Sequence, residues 1–224
     1  MLLDASTQAA LDRFMELVIH DLRATLRESF LRAQLLERSS AGAMDAASQA
    51  HLVAILEGNR LTSSFLSRLA EYCQAGSGLD RFPPMSAELL VENAIQTSGS
   101  EVGVKIDVGD LPTGRYPAPL QKVFWELLDN SRKFRRGPVA VCINATRSDS
   151  EWIVEVRDNG IGFEPEYAET ILEPLQRLHG VGAYPGFGLG LSISQRIVKG
   201  LNGRLWANSA PGEGSAFYVS LPAA

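Results

Sequence analysis

The chain has 224 residues, 45% of them apolar and 21% charged, with a formal net charge of −5 and a pI near 5.3. This is the make-up of a soluble globular protein with one large or two small domains, and the acidic balance argues against a nucleic-acid binder. No apolar run approaches the roughly 20 residues needed to span a bilayer, no signal pattern opens the chain, and Cys73 and Cys142, far apart and outside any C-x-x-C spacing, exclude a disulfide framework or zinc site and fit a reducing cytoplasm.

Residues from about 5 to 38 contain no Gly and no Pro. Leu11, Phe14, Met15, Val18, Leu22, Leu26, Ala33 and Leu36 recur at helical spacing and predict one amphipathic helix. At about 100° per residue, His20 falls roughly 160° from that stripe, on a polar face with Arg13, Glu16, Arg23 and Arg27. Ser39 to Ala43 reads as a turn. A second helix follows over about 45–74, with Leu52, Val53, Leu56, Leu61, Phe65, Leu66, Leu69 and Tyr72 as its apolar positions. Such a hairpin buries its stripe poorly alone, and two copies forming a four-helix bundle bury it better, so a homodimer is expected. The three histidines, at 20, 51 and 179, are too scattered for a metal cluster.

Ala75-Gly76-Ser77-Gly78 and Pro83-Pro84 read as a linker into a second domain. Ser86 is a helix N-cap, with Glu88 in the first turn of a helix reaching about Thr97. Val102, Val104, Ile106 and Val108 alternate as a strand. Leu120 to Phe134 predicts a helix, 139–146 and 151–157 a strand hairpin, 189–199 a helix, and 205–208 with 216–221 the closing strands. Helices and strands mix without strict β-α-β alternation, which predicts an α+β sandwich, a mixed sheet with helices on one face.

Three stretches of this second domain carry chemistry. In Glu126-Leu127-Leu128-Asp129-Asn130-Ser131-Arg132-Lys133-Phe134, Glu126 and Asn130 lie four apart on one helix face. A carboxylate and an amide oxygen there suit a hydrated magnesium ion, and Lys133 suits a phosphate. Asp158-Asn159-Gly160-Ile161-Gly162-Phe163 follows a strand and delivers an acceptor into a glycine loop, although alone it also reads as an ordinary turn. Gly186-Phe187-Gly188-Leu189-Gly190-Leu191 opens a helix and resembles a phosphate cradle of bare backbone N–H groups. It is neither a P-loop nor a dinucleotide fingerprint.

Taken in register, the three stretches resemble the GHKL-type (Bergerat-type) ATP-binding domain of sensor histidine kinases, DNA gyrase, mismatch-repair ATPases and a heat-shock chaperone. The resemblance covers about residues 80–222. Leu17-Val18-Ile19-His20-Asp21-Leu22-Arg23 resembles the phosphoacceptor helix of sensor histidine kinases, and Leu175-Gln176-Arg177-Leu178-His179-Gly180 is most similar to phytochrome-type kinases. The resemblance implies residues 1–76 as the dimerisation and phosphotransfer hairpin and 77–224 as the catalytic domain. It implies ATP with its adenine amino group on Asp158 in the Gly160–Gly162 loop, and magnesium on Asn130 with Glu126. It implies phosphate contacts from Lys133, Arg177 and the segment Gly186, Gly188, Leu189 and Gly190. The γ-phosphoryl is then expected to pass to His20, assisted by Asp21, and on to an Asp of a response-regulator receiver. The alternatives are a histidine phosphotransfer protein with a dead nucleotide site, or a GHKL-family ATPase without histidine kinase output. Input is expected either from a sensor domain outside these residues or from a separate sensor protein.

The sequence departs from the family in several places. Thr25 stands where the family usually has Pro, predicting a helix without a proline kink. Ala24 replaces a hydrogen-bonding residue, which predicts weak phosphatase activity. Leu172 and Leu175 replace two phenylalanines, the lid over about His179 to Pro185 is short, and Glu126 occupies a position often Asn in these kinases.

Overall fold

A computed structural model describes residues 5–40, 43–99, 103–148, 150–178 and 184–223. Val102, Ala41-Gly42 of the first turn and most of the expected lid lie outside the described residues. The chain divides into two units, Met1–Gln74 and Ala75–Ala224.

The first unit is a helical hairpin of α1 (Ala5–Ser39) and α2 (Ala46–Gln74). The Asp45 carboxylate accepts the Ser48 N–H at 2.7 Å and caps α2. The helices meet through two small cores. One holds Ile19, Leu66 and Cys73, with Met15, Leu26 and Leu69 packed against it. The other holds Ala33, Leu52 and Leu56, with Phe30 and Met44. This corrects the expected stripe: Ile19 is the most buried residue of α1, whereas Leu11, Phe14, Leu22 and Leu36 are exposed. Apolar residues wrap more than one face of α1, so a single averaged stripe runs between the face used inside the hairpin and a second face left open. As expected, α1 runs unbroken past Ala24 and Thr25; the Thr25 hydroxyl bonds back to the Asp21 carbonyl at 3.3 Å.

In the second unit, β1 (Pro84–Ser86) leads into α3 (Ala87–Ser98), and the Leu89 N–H bonds the Ser86 hydroxyl, confirming the cap. Then come β2 (Val104–Val108), β3 (Arg115–Pro117), α4 (Leu120–Lys133), β4 (Val139–Ser148), β5 (Glu151–Asp158), α5 (Gly190–Gly200), β6 (Arg204–Ala210) and β7 (Gly214–Pro222). Five strands form one mixed sheet in the order β2-β4-β5-β7-β6, with β2 and β4 parallel and the other pairs antiparallel. β1 and β3 make a separate antiparallel pair that the sequence reading did not contain. Val154 and Val156 of β5 point into the core while Arg157 on the same strand is exposed, so one sheet face is covered. Leu90 and Val91 of α3, Val123, Phe124 and Leu127 of α4, and Ile193 and Ile197 of α5 are buried with it. On the opposite face Trp206 and Tyr218 stack at 5.3 Å with Arg204 over the indole. This is the expected α+β sandwich, and it brings the end of β5, the last turn of α4 and the first turn of α5 to one edge.

Candidate functional site

The site grows from α4. Its apolar side, Val123, Phe124, Leu127 and Leu128, is fully buried. That burial fixes the rotation of the helix and leaves Glu126, Asn130 and Lys133 on the remaining arc. Glu126 is only 2% exposed, and its carboxylate pairs with Lys122 at 3.3 Å. The Lys122 ammonium lies 4.4 Å from the centre of the Trp125 ring. Lys133 pairs with Asp129 one turn back. Glu126 and Asn130 therefore offer two oxygen donors a turn apart, the donor set that suits a largely hydrated magnesium ion.

The last residue of β5 is Asp158, 8% exposed. Its Oδ1 accepts the Gly160 N–H at 2.8 Å and the Ser215 N–H at 3.3 Å. Its Oδ2 lies 3.3 Å from the hydroxyl of Ser131 on α4. Burial pushes the Asp158 carboxyl above the ordinary carboxylate range, opposed by the bonds from Gly160, Ser215 and Ser131. The loop that follows is tightly held. The Ile161 N–H bonds the Phe134 carbonyl at 2.9 Å, and the Gly212 N–H bonds the Ile161 carbonyl at 2.7 Å. At Gly162, with φ +62°, an added Cβ would stand 2.0 Å from the Ala210 carbonyl oxygen, so no side chain fits there.

The glycine segment before α5 closes the site. The Leu175 N–H bonds the Gly188 carbonyl at 2.8 Å, and Leu175 itself takes φ +66°. Gly188, at φ +70°, passes so close to the Gln176 carbonyl that a Cβ would lie 2.6 Å from it. Leu189 is buried and precedes the first turn of α5, which begins at Gly190. A Cβ at Gly186 would lie 3.8 Å from the Lys133 ammonium, and the Phe134 ring meets the Tyr184 ring at 4.9 Å. Arg177 donates to the Tyr184 carbonyl at 2.7 Å.

The three stretches thus converge. Ser131–Asp158 and Phe134–Ile161 join the first to the second, while Lys133 lies beside Gly186 and the Phe134–Tyr184 ring contact holds the first to the residues just before the third. His20 and Asp21 belong to the helical unit. The His20 and Asp21 side chains are 83% and 87% exposed, and the Nδ1 of His20 lies 3.2 Å from the Asp21 carboxylate. The sequence reading gave Ser131, Ser209 and Ser215 no role. The Ser209 hydroxyl accepts the Phe163 N–H at 2.8 Å and donates to the Gly214 carbonyl at 2.7 Å, tying the loop after Asp158 to the β6–β7 turn.

Residues 115–224 match the family model described as histidine kinase-, DNA gyrase B-, and HSP90-like ATPase. Over 221 residues the chain is 31% identical to cyanobacterial phytochrome A of Nostoc sp. (strain PCC 7120 / SAG 25.82 / UTEX 2576), covering 96% of this chain and 29% of that protein. It is 30% identical over 234 residues to the adaptive-response sensory kinase SasA of Synechococcus sp. (strain JA-3-3Ab), covering 94% of this chain and 59% of the kinase. The chain therefore spans less than two thirds of these relatives. In fold it is similar to full-length ShkA in complex with AMPPNP, at a TM-score of 0.70 and 21% identity over 94% of this chain and 45% of that one. Residues 115–224 form a domain of the histidine kinase-, DNA gyrase B- and HSP90-like ATPase family, and the chain, hairpin included, is similar in sequence to phytochrome A and the SasA kinase and in fold to ShkA.

Proposed function

We propose that the chain is the catalytic core of a two-component histidine kinase, which phosphorylates His20 from ATP and passes the phosphoryl group to an aspartate of a response-regulator receiver. Residues 1–76 act as the dimerising phosphoacceptor hairpin and 77–224 as the ATP-binding domain. The observation that carries the reading is the asymmetry of Asp158. One of its oxygens is saturated by two backbone N–H groups, and the other faces only the Ser131 hydroxyl among the described residues. That leaves an acceptor for the amino group of adenine. A phosphotransfer protein with a dead nucleotide site has no use for a carboxylate buried in this way.

Lys133, Arg177 and the backbone N–H groups at Gly188 and Gly190 bind phosphate oxygens, with the positive end of α5 behind them. Arg177 leaves the Tyr184 carbonyl to do so. Glu126 and Asn130 hold magnesium, which when bound neutralises charge on the phosphates. Transfer is mostly positioning and charge neutralisation. With Nδ1 of His20 bonded to Asp21, the lone pair on Nε2 attacks the γ-phosphorus. The bond to the bridging oxygen of ADP breaks, and Asp21 takes the Nδ1 proton of the ring. The exposed Leu11, Phe14, Leu22 and Leu36 of α1, with Val53 and Leu61 of α2, support a homodimer through the hairpin. Among the described residues no helix is long and apolar enough to cross a membrane. A cytoplasmic site of action fits this reading.

Incubation with γ-labelled ATP and magnesium tests it on wild type, His20→Ala and Asn130→Ala. Label that is acid-labile, base-stable and absent from both variants is the expected result. Tight ATP binding with no label on His20 would sink the proposal and favour the ATPase alternative.

A further inference from the structure

We propose that Ser131 is a positioning residue for base recognition: its hydroxyl keeps the ligand-facing oxygen of Asp158 an ionised acceptor and so sets the preference for a 6-amino over a 6-oxo purine. The proposal rests on the ATP reading above and adds a residue that none of the three motifs assigned.

Ser131 is 2% exposed and lies on the buried side of α4, one residue from Asn130. Its hydroxyl has one hydrogen and two acceptors in reach, the Leu127 carbonyl at 3.0 Å and Asp158 Oδ2 at 3.3 Å. Donated to Asp158, the hydrogen stabilises the carboxylate, and Oδ2 keeps a lone pair for a base amino group. Donated to Leu127, it leaves two oxygens facing each other across 3.3 Å, an arrangement that a proton on Asp158 relieves. A protonated Asp158 is a donor, and a donor suits the 6-oxo group of hypoxanthine rather than the amino group of adenine. The hydroxyl therefore acts on which base the carboxyl accepts.

Among the described residues, no charged side chain takes over this role. The upward push on Asp158 comes from burial, and only Gly160, Ser215 and Ser131 oppose it. On α4, Glu126 pairs with Lys122, Asp129 pairs with Lys133, and Arg132 donates to the Ser98 and Gly99 carbonyls. On β5 and β7, Arg157 bonds Glu155 and Tyr218 on the other face of the sheet. Removing a hydrogen bond to the charged form raises the pH at which Asp158 takes up its proton.

The test is titration of the full chain with Mg·ADP and Mg·IDP by calorimetry across the mildly acidic to neutral range, for wild type and Ser131→Ala. In Ser131→Ala, ADP binding is expected to weaken roughly tenfold at neutral pH, the scale of one hydrogen bond to a charged group. The ADP-over-IDP preference should shrink with it, and the acid loss of ADP binding should move to higher pH. Equal weakening of both nucleotides with an unchanged pH profile would reduce Ser131 to packing and overturn the proposal. So would a variant indistinguishable from wild type. Wild type that binds neither nucleotide would overturn the ATP reading and this assignment together.

Discussion

Burying the Asp158 carboxyl costs free energy that an amide would not incur. Its pKa in the folded chain lies above the unfolded one, so folding binds a proton in the window between them. Stability then falls as pH rises through that window, and at neutral pH the whole cost is present. Asp158→Asn keeps an acceptor for Gly160 and Ser215 and turns its amide toward Ser131. The expected outcome is a catalytic unit that melts a few degrees higher at neutral pH, the effect of about 1 kcal/mol, yet no longer binds ADP. The gain should vanish below the ordinary carboxylate range, about pH 4. A lower melting temperature at neutral pH would show that burial is not the dominant influence on this group. Asp158, Asn130, Lys133 and the paired glycines were legible in the sequence because each position demands a distinctive residue type. Ser131 was not. It falls in line with Phe124 and Leu127 on the buried side of α4, where a small polar residue at helical spacing looks like core filler until the partner at the end of β5 is known.

The segment after α2 shows where sequence patterns mislead about elements. Ala75 to Gly78 reads as a free linker, yet it packs along the C-terminal half of α5. Arg196 donates to the Ala75 carbonyl at 3.3 Å. A Cβ on Gly76 would stand 2.2 Å from the Arg196 carbonyl oxygen, and a Cβ on Gly200 would stand 2.4 Å from the Gly76 carbonyl oxygen. The two glycines serve one close crossing of backbones rather than looseness. Gly76→Ala and Gly200→Ala are each expected to destabilise the catalytic unit by about 1–3 kcal/mol. The double variant should lose less than the sum, because both disturb the same crossing. Urea unfolding followed by tryptophan fluorescence measures this, and additive or negligible losses would contradict the crossing. The long helices and the five main-sheet strands were readable from the sequence pattern. The pair β1–β3 was not, because three-residue strands are too short to carry a period and Pro84 and Pro117 read as loop.

Both units leave work for a second molecule. The hairpin holds its own cores around Ile19 and Leu52 but exposes Phe14 to 60% and Leu61 to 62%. Sedimentation equilibrium should give twice the 24.3 kDa chain mass, and Phe14→Glu with Leu22→Glu should give the monomer with ADP binding unchanged. A wild-type monomer at micromolar concentration would remove the four-helix bundle from the account. The sequence predicted this dimer from one stripe, whereas the structure assigns part of that stripe to the hairpin interior and the rest to an open face. The proposed ATP site and His20 lie in different units, so their pairing is the step on which the functional reading depends. Identifying the phosphorylated atom after incubation with Mg·ATP addresses it, with peptide mapping under alkaline conditions to find the residue and nitrogen–phosphorus NMR coupling to find the nitrogen. The phosphoryl group is predicted on Nε2 of His20, because Nδ1 is held by Asp21 at 3.2 Å. Phosphate on a hydroxyl, a carboxylate or His51 with His20 unmodified, or free phosphate with no labelled protein, would contradict it.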